Sequence, residues 1–82
     1  MPVGTRKNKK YTVDDGMREI RIELERASIK FGPFVNAHHA YAVILEELDE
    51  AWHEIKHGTK KRAREEIVQT GAMCLRFLMD IK

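Results

Sequence analysis

Glu46, Glu47, Glu50 and Glu66 are the residues of this sequence whose types and spacing best fit chemistry. In a helix each residue rotates by about 100°. Glu47, Glu50 and Glu54 then share one stripe, which Asn36, His39 and Val43 extend upstream, with Glu46 further round. On the next segment Glu66, Gln69, Met73, Arg76 and Asp80 form a comparable stripe. Glu50 lies eight positions before Gly58 and Glu66 eight after it, so an antiparallel helix pair brings both to one level. Carboxylates converging from two helices repel one another. A hard divalent cation relieves that repulsion, and Mg²⁺ accepts oxygen ligands while keeping several waters. Held this way it can orient a polyphosphate and activate water. Acidic residues at helical spacing also read as a solvated face, and spacing leaves both readings open.

The neighbouring residues carry paired readings too. His39 can meet a phosphate or a metal, or be an ordinary polar helix residue. Lys60, Lys61, Arg62 and Arg64 open the segment after the turn, either holding a polyphosphate or solvated. Arg76 can bind a phosphate across the cleft or pair with Asp80 four residues on. Tyr41 and Trp52 can stack on a base or pack against a core or a partner subunit. Cys74 reads as a packing residue, with no base near it in sequence to activate it.

Three helices must position these groups. Thr12 or Asp14 can cap the first, with Asp15 favourable in its first turn. Its stripe is Met17, Ile20, Leu24, Ala27 and Phe31, and Gly32-Pro33 ends it. Asn36 can cap the second, whose apolar stripe is Tyr41, Ile44, Leu48, Ala51 and Ile55, widened by Leu45 and Trp52. Gly58 suits its end and Thr59 suits the next N-cap. The third places Ala63, Ile67, Gly71, Cys74, Leu78 and Ile81 on one face, widened by Val68 and Leu75. Gly71 and Ala72 are small enough for close helix approach. The Gly58-Thr59 connection makes the second and third helices antiparallel neighbours. No segment alternates with period two for long enough to make a strand.

The expected fold is therefore all-α: three helices with an antiparallel hairpin, completing a four-helix-type bundle by oligomerisation. Size drives the last clause. A chain of 82 residues is one domain and buries only about 60% of its unfolded surface. One cysteine excludes an internal disulfide, and no Cys/His grouping has structural-zinc spacing. A second copy of the chain, as homodimer or homotetramer, is the remaining way to complete the core. Residues 1–12 read as a flexible basic arm with Arg6, Lys7, Lys9 and Lys10, and residues 13–82 as the helical domain. A net charge of +2 is too small to argue for a nucleic-acid partner. No apolar run reaches membrane-spanning length and none resembles a signal peptide, which points to the cytoplasm and to no membrane partner.

The stretch Ile44-Leu45-Glu46-Glu47-Leu48-Asp49-Glu50 resembles the EExxE motif of the MazG-like, all-α nucleoside triphosphate pyrophosphohydrolases. In that family ExxD follows on the next helix, and here Glu66-Ile67-Val68-Gln69 stands in its place. The wider text, "HHAYAVILEELDEAWHEIK" and then "EEIVQTGAMCLRFLMD", is similar to short MazG-like proteins of phages and their hosts, over residues 20–80. The resemblance implies a helical bundle assembled by self-association and Mg²⁺ held by Glu46, Glu47, Glu50 and Glu66. Glu47 and Glu50 would be central to catalysis, and the substrate would be a nucleotide. It also implies attack of a metal-activated water on the polyphosphate, releasing a nucleoside monophosphate and pyrophosphate.

Gln69 departs from the pattern where an aspartate is expected. A neutral amide oxygen can ligate a metal but adds no charge. Asp80, about 21 Å along the helix from Glu66, cannot replace it at the same ion. Two alternatives stand beside the enzyme: a catalytically silent oligomer that binds or sequesters a nucleotide, and a structural or regulatory helical interaction protein.

Overall fold

The computed structural model describes residues 10–82, which form three helices and no strand. Arg6, Lys7 and Lys9 of the basic arm lie outside the described residues. Helix α1 spans Val13–Lys30. Its start is a capping box: Asp15 N donates to Thr12 Oγ1 at 3.2 Å, and Thr12 N donates to Asp15 Oδ2 at 2.8 Å. Two of the helix's first backbone donors are satisfied, and the Asp14 and Asp15 charges sit at the positive end of its dipole. Helix α2 spans Ala37–His57, with Asn36 Oδ1 accepting from His39 N at 2.8 Å. Gly58 closes α2, and Thr59 Oγ1 accepts from Arg62 N at 3.1 Å to open α3, Lys60–Asp80. Residues with the right capping chemistry thus set the N-terminus of each helix.

Helix α3 is the shared element, since both α1 and α2 pack on it. The core joins Ala27, Phe34, Ala40, Ala72 and Met73, with Ile20, Leu24, Val43, Ile44 and Phe77 against it. Three of those five buried residues are alanines, so backbone proximity rather than bulk fills the centre. Gly71 shows the same economy of space. A Cβ there would meet Ile20 Cδ1 at 3.0 Å, so α1 approaches α3 where a side chain is missing.

The apolar stripes do not all turn inward. Ala27 and Ala51 are buried, but Tyr41, Leu48, Trp52 and Ile55 of α2 are about half exposed or more. On α3 the buried set is Ala72, Met73 and Arg76, while Ile67, Cys74 and Leu78 face outward. The physical reason is width. Each helix carries apolar residues over more of its circumference than one neighbour can cover. The packing selects the small residues for close approach and leaves the large ones outside. Among the described residues no bulky side chain is fully buried. The radius of gyration is 15.1 Å, against about 12 Å for a compact domain of this length. None of the described helices is long and apolar enough to cross a membrane.

Candidate functional site

The carboxylates meet where α2 and α3 pack. Glu47, Glu50 and Glu66 each offer a carboxylate oxygen, and these atoms lie within 4.8 Å of one another. Glu47 and Glu50 are three residues apart on α2 and so share a face. Glu66 reaches them from α3, two turns past the Thr59 cap.

The electrostatics are uncompensated. Glu66 Oε1 is buried and has no hydrogen-bond donor. Another carboxylate, Glu50, lies close by, and only a shared proton or a cation can make that approach favourable. Burial first, then the Glu50 charge, pushes the Glu66 carboxyl up from its ordinary range. Glu47 goes further. Burial, followed by the charges of Glu50, Glu66, Glu46 and Glu23, pushes it up to about 7. Every one of these influences acts in the same direction. An all-oxygen donor set with an orphaned buried oxygen fits a hard divalent cation.

Glu46 is exposed. With Glu47 it borders a neighbouring cavity of about 250 Å³ that Phe34, His39, Met73 and Arg76 also line. Gln69 is half-buried, one turn beyond Glu66. His39 is fixed by the loop before α2, where Val35 N donates to its Nδ1 at 3.0 Å and its ring meets the Phe34 ring edge-on. A neutral imidazole accepting at Nδ1 carries its proton on Nε2, which suits it to donate to an oxygen and not to ligate a metal through that atom.

The three basic residues of the expected substrate site lie elsewhere or are engaged. Lys60 and Arg64 line a groove between α1 and α3 with Tyr11 and Ile20. There Arg64 Nη2 donates to Glu19 Oε2 at 3.1 Å and lies over the Tyr11 ring, whose hydroxyl also donates to Glu19. Arg76 is 5% exposed. It donates to the Gly32 carbonyl, stacks over Phe34 and lies 4.0 Å from Asp80.

Of two further contributors, the sequence does not show the first and places the second on the stripe without a role. Glu23, on α1 and bonded to Arg26, adds to the field at Glu47. Its position follows only from how α1 lies on α3, which no local pattern encodes. Glu54 adds to the field at Glu66, and its place on the Glu47 and Glu50 stripe was the available signal.

A pH dependence follows. Between its ordinary value of 4.5 and about 7, Glu47 keeps its proton in the folded chain and loses it in the unfolded one. The folded state then binds more protons, so stability falls as pH rises through this window. With solvent screening the loss is about 1–2 kcal/mol, or roughly 5–10 °C in melting temperature. Thermal unfolding followed by circular dichroism in chelator at pH 5 and pH 8 measures it. Glu47→Gln should flatten the profile, and an equal slope in that variant would remove Glu47 as its source.

No family model, curated protein or solved structure matches this chain.

Proposed function

We propose that this chain is a Mg²⁺-dependent nucleotide pyrophosphohydrolase-like protein, cleaving a nucleoside triphosphate or related nucleotide to monophosphate and pyrophosphate. The observation that carries this is the meeting of Glu47, Glu50 and Glu66 oxygens within 4.8 Å, with no donor on the buried Glu66 oxygen. The MazG-like text around those residues supplies the reaction class. Glu50 and Glu66 would hold the ion with Glu47, and Glu46 at the rim. Mg²⁺, when bound, would supply charge neutralisation of the polyphosphate and a more acidic water. Without the ion Glu47 is pushed up to about 7 by burial and the neighbouring carboxylates, and a bound cation would reverse that shift and hold it as a charged ligand. His39 Nε2, on the cavity beside Glu46, is a donor for a phosphate or base oxygen.

The proposal includes the antiparallel α2–α3 hairpin as one half of a four-helix-type bundle. Exposed Tyr41, Leu48, Trp52 and Ile55 on α2 support its completion by a second copy, as homodimer or homotetramer. Kinship with short phage and bacterial MazG-like proteins and a cytoplasmic location belong to the same reading.

Incubation with a panel of nucleoside triphosphates and Mg²⁺ tests the activity, which should appear as released pyrophosphate. No turnover across the panel would reject the enzyme. Gln69 favours a second reading, because a neutral amide replaces the expected aspartate. In that reading the oligomer binds a nucleotide without cleaving it. Calorimetry should then show binding, with the ligand recovered intact.

A further inference from the structure

Apart from the carboxylates, α2 carries a second group of metal-binding atoms near its C-terminal end. His53 and His57 stand four residues apart, both exposed, with ring centroids 5.2 Å apart and planes tilted by 55°. Neither ring has a hydrogen bond or ion pair within the described residues. A metal 2.0–2.1 Å from a ring nitrogen lies about 3.2 Å from that ring's centroid. Two imidazoles sharing a tetrahedral ion therefore have centroids about 5 Å apart. The observed separation fits without movement of the backbone, and exposed imidazoles can rotate to aim their nitrogens.

The surroundings favour a cation. His53 lines a shallow depression on α2 with Glu46, Asp49 and Glu50. The run His53-Glu54-Ile55-Lys56-His57 also has the H-E-x-x-H spacing that places two imidazoles on one helical face. Glu54 is not placed as a base over such an ion. It is half-buried and turned to the α2–α3 connection, its Oε1 over Gly58. The spacing therefore supplies ligands here and no peptidase chemistry.

We propose that His53 and His57 form a chelating site for a borderline divalent transition ion of the Zn²⁺, Ni²⁺ or Cu²⁺ class, with water in the remaining positions. Imidazole selects these ions, whereas the all-oxygen set of Glu47, Glu50 and Glu66 suits harder ones. The two sites are thus chemically separate, and this one does not depend on nucleotide chemistry. A chelate spanning one helical turn also stabilises the end of α2 through linkage.

Calorimetric titration of Zn²⁺ into the full chain tests this, against His53→Ala, His57→Ala and Glu66→Gln. The wild type should show one histidine-dependent Zn²⁺ event per chain, apart from any Zn²⁺ taken by the carboxylates of Glu47, Glu50 and Glu66. Either histidine variant should bind roughly tenfold more weakly or worse, because the second ligand acts at high effective concentration. Glu66→Gln should keep the histidine-dependent event and change only what the carboxylates contribute. Electron paramagnetic resonance of the Cu²⁺-loaded chain should show two imidazole nitrogens, reduced to one in each histidine variant. Both histidines are exposed, so unchanged helicity of the variants is expected and checked by circular dichroism. Absence of binding, binding insensitive to either histidine, or loss in Glu66→Gln instead would overturn the site.

Discussion

A Glu50→Gln variant is expected to lose Mg²⁺-dependent release of pyrophosphate by on the order of 100-fold or more. The substitution keeps size and shape and removes one charge at the point where three carboxylates meet. Glu50 acts on both neighbours: its charge raises Glu47 and Glu66 alike. Losing it leaves the pair more acidic and the ion with one anionic ligand fewer. The apo protein should respond in the opposite sense. With like-charge repulsion reduced, Glu50→Gln should be as stable as the parent or more so in chelator. That combination, lower activity with equal or higher stability, separates a functional carboxylate from a structural one. Gln69→Asp is the complementary change. It adds a carboxylate one turn beyond Glu66 on α3, and it should strengthen Mg²⁺ binding. Steady-state pyrophosphate release and chelator-state melting measure both halves.

Arg76→Ala is expected to cost roughly 2–4 kcal/mol of stability. Arg76 is a buried cation with three engagements: the Gly32 carbonyl, the face of Phe34 and Asp80. Asp80 in turn accepts from Phe34 N at 3.0 Å. Together they fasten the α1–α2 connection to the C-terminal half of α3. Truncation orphans the carbonyl, leaves Asp80 without its cation and opens a void against Phe34. For a small domain with only about 5–15 kcal/mol in total, that is a large share. Arg76→Lys should recover little, since a single ammonium cannot span these partners as the planar guanidinium does. Urea denaturation gives the number, and a loss below about 1 kcal/mol would show that the connection is held by other contacts.

Helix positions were legible because capping and termination are local. Thr12 with Asp15, Asn36, Gly58 and Thr59 each sit within a few residues of the boundary they set. The level match of Glu50 with Glu66 was legible for the same reason, since a two-residue connection fixes register by counting. The helical face that turns inward was not legible. Apolar residues on α3 nearly encircle the helix, and periodicity cannot tell Ala72 and Met73 from Ile67 and Leu78. Arg76 illustrates the difficulty most clearly, because a charged residue is buried through partners more than forty positions away in sequence. Glu23 is similar, its influence on Glu47 arising only in the packed fold. Of the expected substrate contacts, Lys60 and Arg64 shared a segment with Glu66 but not a face, and one turn of helix separates those outcomes.

A divalent-cation site at Glu47, Glu50 and Glu66 makes the stability of the fold depend on Mg²⁺. Melting temperature in chelator and in millimolar Mg²⁺, for the parent and for a Glu50→Gln/Glu66→Gln double variant, tests it most directly. Mg²⁺ should raise the parent's melting temperature by linkage. The double variant should match or exceed the parent in chelator and gain nothing from Mg²⁺. A parent indifferent to Mg²⁺, or a double variant that gains as much as the parent, would contradict the site.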